Sequence, residues 1–490
     1  MTSRRWPKPY PAEVRLIVES IAFPWWTSPV DVVARARDTG LAAMLFSDPT
    51  PEGTSIAAIG RRVDLVTNDN GAHAEGADGR MVAERVDTDR LRALAALWQE
   101  MAETTGLDDA GAAPVIGAGG FAFRPERDPA SPWDGFPAAL MRIPEVVLRR
   151  RAGRTDAYTI RIAGDTGGDD AADRLLALVA AEPDVLRAPA TAHLTTEPAR
   201  PAHDWMAAVD AAVERLRTGE AHKVVLAREL IARADGPLHA GSVLRVLERS
   251  QPSCYVFLIP GADGSALVGA SPELLVRRDG TRAASQPMAG TAARGRDARE
   301  DGRLARELQA SAKNAREHDL VVDDVRRLYE STGAKSVQVT PRELIRFPNV
   351  QHLATTVTAH FEAAPTVLEL CAALHPTAAV GGTPWPAASR LIDELERMER
   401  GWYAGAVGWT DSLGDGAFAV TLRCGLLWED GVRLYAGAGV MPDSSSLDEL
   451  EETDVKFLAL IRALRESLTT PQPTASDARS RSLPSKSAPR

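Results

Sequence analysis

At about 150 residues per domain, a chain of 490 residues has room for roughly three domains or one large α/β fold, and so for a sizeable core. Its composition, 44% hydrophobic and 25% charged, argues against a collagen-like, wholly disordered or membrane-embedded chain. With 67 acidic against 57 basic residues the formal charge is −10, which speaks against nucleic acid as a partner and means that any anionic ligand needs locally supplied positive charge.

Taken from the N-terminus, Arg4 and Arg5 resemble a twin-arginine start, but Glu13, Arg15 and Glu19 interrupt the apolar residues behind them and no export signal is expected. Glu52 to Gly79, frequent in Gly, Asp and Asn, is a candidate for low order, as is Thr166 to Asp170. Val115 to Ala122 fits a GxGxxA dinucleotide fingerprint. Pro125 and Pro129 follow at once, so no helix is expected to open there, and the stretch reads as a glycine-rich strand edge. The alanine-rich run Leu175 to Ala181 is far below the roughly 18 residues needed to cross a bilayer, and no membrane partner is expected. Trp205, Val209, Val213 and Leu216 form a helical stripe that stops at Gly219. His222 to Leu230 reads as extended, with Val224, Leu226 and Leu230 on one face and Lys223, Val225, Ala227 and Glu229 on the other. A strand over Tyr255 to Ile259, a hairpin from Glu273 to Arg277 through Asp279-Gly280, and a strand from Phe418 to Trp428 follow. Helices are expected from Lys313 and over Leu447 to Leu464. Residues 467–490, rich in Ser, Pro, Thr and Arg, read as a disordered tail. The mixture indicates an α/β or α+β protein with large, partly antiparallel sheets. Cys254, Cys371 and Cys424, odd in number and without CxxC spacing, suit a reducing, cytoplasmic setting rather than a zinc or disulfide framework.

Two helices and two single residues carry possible chemistry. Glu317 lies four residues before Val321 on the stripe Val321, Val325 and Leu328, where a carboxylate facing a core needs a neutralising partner. Glu449, Glu452 and Lys456 share one face of the later helix; a hard cation such as Mg²⁺ would relieve the repulsion of the two carboxylates, but a solvated acidic face has the same pattern. Lys223 is either a charged guard on a strand edge or, in an interior pocket, a base. Glu273, between Pro272 and Leu274, is either a turn residue or a protonated acid in apolar surroundings. Taken singly, each reads more simply as structural.

Together, however, nine stretches resemble the chorismate-utilising enzymes, a family that includes isochorismate, salicylate, anthranilate and aminodeoxychorismate synthases. They are His222-Lys-Val-Val-Leu-Ala-Arg228, Gly269-Ala-Ser-Pro-Glu-Leu-Leu275, Pro287-Met-Ala-Gly-Thr291, Arg316-Glu-His318, His375-Pro-Thr-Ala-Ala-Val-Gly-Gly382, Arg400-Gly-Trp-Tyr-Ala-Gly405, Gly414 to Arg423, Leu434-Tyr-Ala-Gly-Ala-Gly439 and Glu449 to Lys456, in the family's order. Upstream, Phe121-Ala-Phe123 and Trp133-Asp-Gly-Phe-Pro137 look like the N-terminal half of an isochorismate synthase. The resemblance implies two large, mostly antiparallel sheets packed together with helices outside. It divides the chain into an N-terminal half, 1–195, a chorismate-binding core, 196–466, and the tail.

It also implies roles. Glutamates matching Glu317, Glu449 and Glu452 surround a Mg²⁺ that holds the ring carboxylate of chorismate. Arg423, Tyr435 and the backbone near Gly437 match positions that bind the enolpyruvyl carboxylate, and Lys456 sits near the metal-bound end. Gly290 and Thr291 correspond to the loop beside the substrate hydroxyl. Ala379, Val380 and Tyr403 fall in further substrate-binding stretches. A lysine at 223 marks the members that use water rather than ammonia, so no glutamine amidotransferase subunit is expected. Lys223 is then the base that activates water for attack at C2, and Glu273 the acid that protonates the departing C4 hydroxyl.

The net change is isomerisation of chorismate to isochorismate, for menaquinone, siderophore or other synthesis. Salicylate synthases share the lysine and go on to eliminate pyruvate, but Ala379-Val380 and the run from Arg400 to Trp409 look more like the isochorismate branch. A non-catalytic chorismate binder would have no need of the acid and base. Asn314 and Leu450 depart from the family, standing where an acid and an aromatic are common beside the metal-binding glutamates.

Overall fold

The computed structural model describes residues 15–103, 113–125, 131–163, 170–180 and 193–469. Two large antiparallel sheets, of 12 and 11 strands, dominate it, with helices on their outer faces and a small three-stranded sheet beside them. Neither large sheet belongs to one half of the chain. In the 12-stranded sheet Ala43–Ser47 pairs with Tyr255–Pro260, setting Phe46 opposite Phe257. In the other, Ile116–Phe121 pairs with Ala406–Asp411, setting Gly119 opposite Gly408. The halves expected on either side of residue 195 are thus continuous through two ladders of backbone hydrogen bonds.

Many expected elements are present. The helix Ala202–Arg217 buries Trp205, Val209, Val213 and Leu216 and is followed by Gly219 at φ +85°. The strand Lys223–Ala234, the strand Tyr255–Pro260 and the hairpin of Leu274–Asp279 with Arg282–Gln286 also stand where the patterns put them. The helix Ala312–Ser331 begins at Ser311, whose hydroxyl accepts from the Asn314 N–H, and it buries Val321 and Val325.

Four expectations are corrected. Glu52 to Gly79 is not low in order: it forms the strands Thr54–Ile59, Val63–Asn68 and Gly71–Gly76. Its glycines and polar residues concentrate at the bends, including Gly60 and Gly79 at φ +77°, while Ile56, Val63, Leu65 and Ala74 are buried. The glycine-rich stretch is a strand but an interior one, flanked by Ala406–Asp411 and Ala139–Ile143, and a side chain at Gly117 would strike the Trp98 ring. Phe418 to Trp428 is two strands rather than one. Gly416–Val420 lies in the 11-stranded sheet and Cys424–Trp428 in the 12-stranded sheet, with Arg423 at φ +49° where the chain crosses over. Finally, the last helix, Ser446–Thr469, extends beyond Leu464 and still buries Leu468, because apolar spacing continues past the composition change. The tail from 470, the paired arginines at the start and 166–169 lie outside the described residues. Among the described residues no helix is long and apolar enough to cross a membrane.

Candidate active site

Arg423, where the chain crosses between the two large sheets, lines a cavity of about 60 Å³ bounded by the 12-stranded and three-stranded sheets and two helices. Its walls come from the strands Lys223–Ala234 and Gly431–Val440, the turn at Pro272-Glu273, the strand Met288–Ala293 and the helices Ala312–Ser331 and Ser446–Thr469. Of the residues singled out from the sequence, Glu273, Gly290, Thr291, Glu317, Ala379 and Val380 line it. So do Tyr403, Arg423, Gly437, Glu452 and Lys456. Residues as far apart in sequence as Glu273 and Lys456 therefore share one space.

Three of the singled-out side chains stand behind that lining. Lys223 is 1% exposed, and its Nζ forms an ion pair with Glu317 Oε1 at 3.0 Å. Glu449 is buried and accepts from Lys313 Nζ at 2.6 Å and from the Ser444 hydroxyl at 2.7 Å. Tyr435 lies behind Tyr403, stacked on it at 5.3 Å and on Trp133 at 5.5 Å, and its hydroxyl has no hydrogen-bond partner.

Local backbone explains how the lining side chains reach the cavity. Gly290 sits at φ +80° where the pairing of Met288–Ala293 with Val350–Ala354 shifts register, a bulge that re-aims the strand at Thr291. Gly437 and Gly439 let the other side chains approach the sheet. A side chain at Gly437 would come within 3.0 Å of the Tyr403 hydroxyl, and one at Gly439 would overlap the Glu317 carboxylate and crowd Lys223.

The electrostatics are uneven. Burial pushes the Glu273 carboxyl up to about 8, against the opposing pull of Lys223, Arg423, Lys456 and the Met288 N–H. Glu273 therefore carries a proton at neutral pH in a space that also holds two cations. Burial, and then the neighbouring Glu452, pushes Glu449 up to about 7 despite Lys313. Burial also acts to raise Glu452, but Lys456, donating to it at 2.6 Å, outweighs that and holds it low.

His352 is a lining residue that the sequence reading missed. It is buried, and burial together with Arg423 and Lys456 holds its imidazole well below the usual range, hence neutral. Arg423 Nη2, which can only donate, stands 3.3 Å from His352 Nε2, so the ring proton belongs on Nδ1, 3.2 Å from the Thr291 hydroxyl. The polar pair Gln351-His352 inside the otherwise apolar strand Val350–Ala354 was the available signal. Gly439 was also missed, although it repeats Gly437 at a strand spacing of two.

A family model described as "chorismate binding enzyme" matches residues 41–465. The chain belongs to the chorismate-binding enzymes. Within that family it is 33% identical over 431 residues to the isochorismate synthase MenF of Bacillus subtilis (strain 168), covering 86% of this chain and 87% of that one. It is 36% identical over 351 residues to the salicylate biosynthesis isochorismate synthase of Pseudomonas aeruginosa, covering 71% and 73%. The structure of MenF, the menaquinone-specific isochorismate synthase from Escherichia coli, superposes with a TM-score of 0.70 over 94% of this chain and 96% of that one; at 24% identity this shows the shared fold.

For this family member the expected metal ligands bear testing against the donors present. Among the described residues no three His, Cys, Asp or Glu side chains form a ready cage for a metal ion. Glu317, Glu449 and Glu452 are instead each held by a lysine, Lys223, Lys313 and Lys456 respectively. Lys313 also attracts Glu317 and Glu452. The donor set is nevertheless one that suits Mg²⁺: hard carboxylate oxygens, two of them in mutual repulsion on adjacent turns, beside a space for substrate oxygens.

A larger cleft, about 1230 Å³, opens elsewhere, bordered by Arg90, Arg124, His375, Trp385 and Arg397. Volume alone does not make it the reaction site. There Arg124 pairs with Asp393 and Arg400 with Glu396, whereas the small cavity is lined by the protonated acid, Arg423 and Lys456, with Lys223 directly behind.

Proposed function

We propose that this protein converts chorismate to isochorismate. The observation that carries the reading is Glu273, a carboxyl kept protonated by burial inside a cavity that it shares with Arg423 and Lys456. It can deliver a proton to the C4 hydroxyl, which then leaves as water. A second water, relieved of a proton by neutral Lys223, adds at C2, so that substrate and product have the same atoms. While it is paired with Glu317 at 3.0 Å, Lys223 is turned to that carboxylate rather than to a water. It acts as a base only after releasing that contact.

Arg423, the backbone at Gly437 and Tyr403, all lining the cavity, would receive the enolpyruvyl carboxylate, with Tyr435 stacked on Tyr403. Gly290 and Thr291 border the departing hydroxyl, with Ala379 and Val380 on the wall formed by the 375–382 segment. Glu449, Glu452 and Glu317 would hold Mg²⁺ beside Lys456. When bound, the ion supplies charge neutralisation for the ring carboxylate. Water as the nucleophile, read from lysine at 223, makes an amidotransferase subunit unnecessary, and three buried free thiols suit a reducing cytoplasm. The relatives named above divide between a menaquinone-specific enzyme and one of salicylate biosynthesis, so the proposal stops at isochorismate itself.

Incubation of purified protein with chorismate and Mg²⁺, followed by product separation, tests the reading. Isochorismate alone is the expected result. Salicylate with stoichiometric pyruvate would replace it by the pyruvate-eliminating activity, and unreacted chorismate under all conditions by a binding role.

A further inference from the structure

The strand that carries Lys223 has a gap along one edge. On one side it is paired throughout with Gly431–Val440. On the other, Gly382–Thr383 covers only Lys223 and Val224, and Leu194–Pro198 begins only at Leu230. Between them, three outward-facing residues need partners from outside a ladder. Glu229 O accepts from Ala199 N at 3.2 Å, and Ala227 O accepts from Trp205 Nε1 at 3.0 Å. Val225 N donates to Gly381 O at 3.0 Å, and two further groups fall to one buried ion pair. Arg400 Nη2 donates to Val225 O at 2.8 Å, and Glu396 Oε2 accepts from Ala227 N at 2.8 Å.

That pair is closed on itself. Arg400 Nε and Nη2 donate to the two Glu396 oxygens at 2.7 and 2.6 Å, and its guanidinium lies 4.2 Å over the Phe123 ring. Both residues are 3% exposed. Arg400 has one further contact: Nη1 donates to Val380 O at 2.8 Å. Val225 and Val380 both line the reaction cavity, while Arg400 and Glu396 line the larger cleft behind it. One guanidinium therefore ties two walls of the cavity together from the rear, and one of those walls carries Lys223 two residues away.

We infer that Arg400, anchored by Glu396, is a positioning residue that sets the Lys223 strand and the Ala379–Val380 segment against each other. The inference rests on the proposed conversion of chorismate. Its chemical basis is the fork of the guanidinium: four hydrogen bonds run to four oxygens on three residues, which a lysine ammonium with three donors cannot span.

The test compares R400K and E396Q with the unaltered protein, scaling turnover to the sites that bind chorismate at equilibrium. Displacing a base from its substrate lowers kcat more than it raises KM, and misplacement by about 1 Å costs on the order of 100-fold. R400K is expected to lose about 30- to 100-fold in kcat with KM within about threefold. E396Q, which keeps an acceptor for Ala227 N, is expected to lose about 3- to 10-fold. If R400K binds and turns over normally per active site, with only a lower thermal midpoint, the pair is merely structural and the inference is overturned. Should R400K not fold, an unchanged kcat in E396Q overturns it equally. No turnover by the unaltered chain overturns the reading of function and this inference with it; normal turnover by the variants overturns this inference alone.

Discussion

Two kinds of buried ion pair lie back to back in this protein. Behind the cavity, Arg400 and Glu396 meet through two short bonds, satisfy backbone groups on two walls and sit against an aromatic ring. In front, Lys223 with Glu317, Lys313 with Glu449 and Lys456 with Glu452 each meet through one ammonium. The first arrangement engages most of the hydrogen-bonding capacity of both partners, in bonds to each other and to backbone, and is built to stay. The second leaves lone pairs and N–H groups open, so its lysines and glutamates can exchange one another for a substrate anion or a metal ion. The open volume of about 60 Å³, small beside ligand clefts of roughly 300 Å³ or more, agrees with pairs that part when something enters.

The sharpest way to break the comparison is at the front. Lys223→Ala is expected to lower turnover by about 10²- to 10⁴-fold, the range of general base catalysis, while chorismate binding stays measurable by titration. Undiminished turnover would remove Lys223 from the mechanism. Glu273→Gln should cost a similar factor, since the amide has no proton to give.

The same carboxyl makes a signed pH prediction. Its folded-state value, about 8, lies above the unfolded one, so the folded protein binds the proton more tightly. Its contribution to stability is complete below about 4, lost progressively as pH rises towards 8, and worth at most roughly 4–5 kcal/mol. Turnover that depends on the protonated form should fall through the same upper limit. Glu273→Gln should flatten the decline in thermal midpoint between pH 5 and 8; a decline as steep as in the unaltered chain would show that another group titrates there.

Mg²⁺ sharpens the comparison further. A ligand that binds only the folded state at 100 times its Kd stabilises by about 2.7 kcal/mol, so the thermal midpoint should rise with added Mg²⁺ and fall back with EDTA. In the double variant E449Q/E452Q that rise should vanish, whereas in E396Q, on the rear pair, it should persist. The smallest effect is expected at Tyr435→Phe. The lost hydroxyl is buried and without a partner, so stability should change by less than about 1 kcal/mol and kcat/KM by less than about threefold. A large rise in KM would instead place the Tyr435 hydroxyl on the substrate.

Much of this was legible without coordinates. Period-two spacing put Lys223 and Val225 on one face of a strand, helical spacing put Glu317 on the inward stripe and Glu449, Glu452 and Lys456 on one helix face, and the order of nine stretches pointed to the family. Local pattern misled where it met a boundary it cannot register. Glycines at tight bends between Thr54–Ile59, Val63–Asn68 and Gly71–Gly76 looked like low order. The apolar run through Phe418 looked like one strand because both sheets bury their strands alike.

The sequence by itself determined which side chains share a face, because that follows from the geometry of a few bonded neighbours. Which faces meet was decided only by the tertiary structure. His352 joins Thr291 and Arg423, Lys313 attends three glutamates, and Arg400 closes a gap in a strand 175 residues away, at Val225. Each of these meetings joins elements that only the folded chain brings together, where distance through space is unrelated to distance along the chain. A buried charge or an unpaired carbonyl is settled by whatever group the packing brings near.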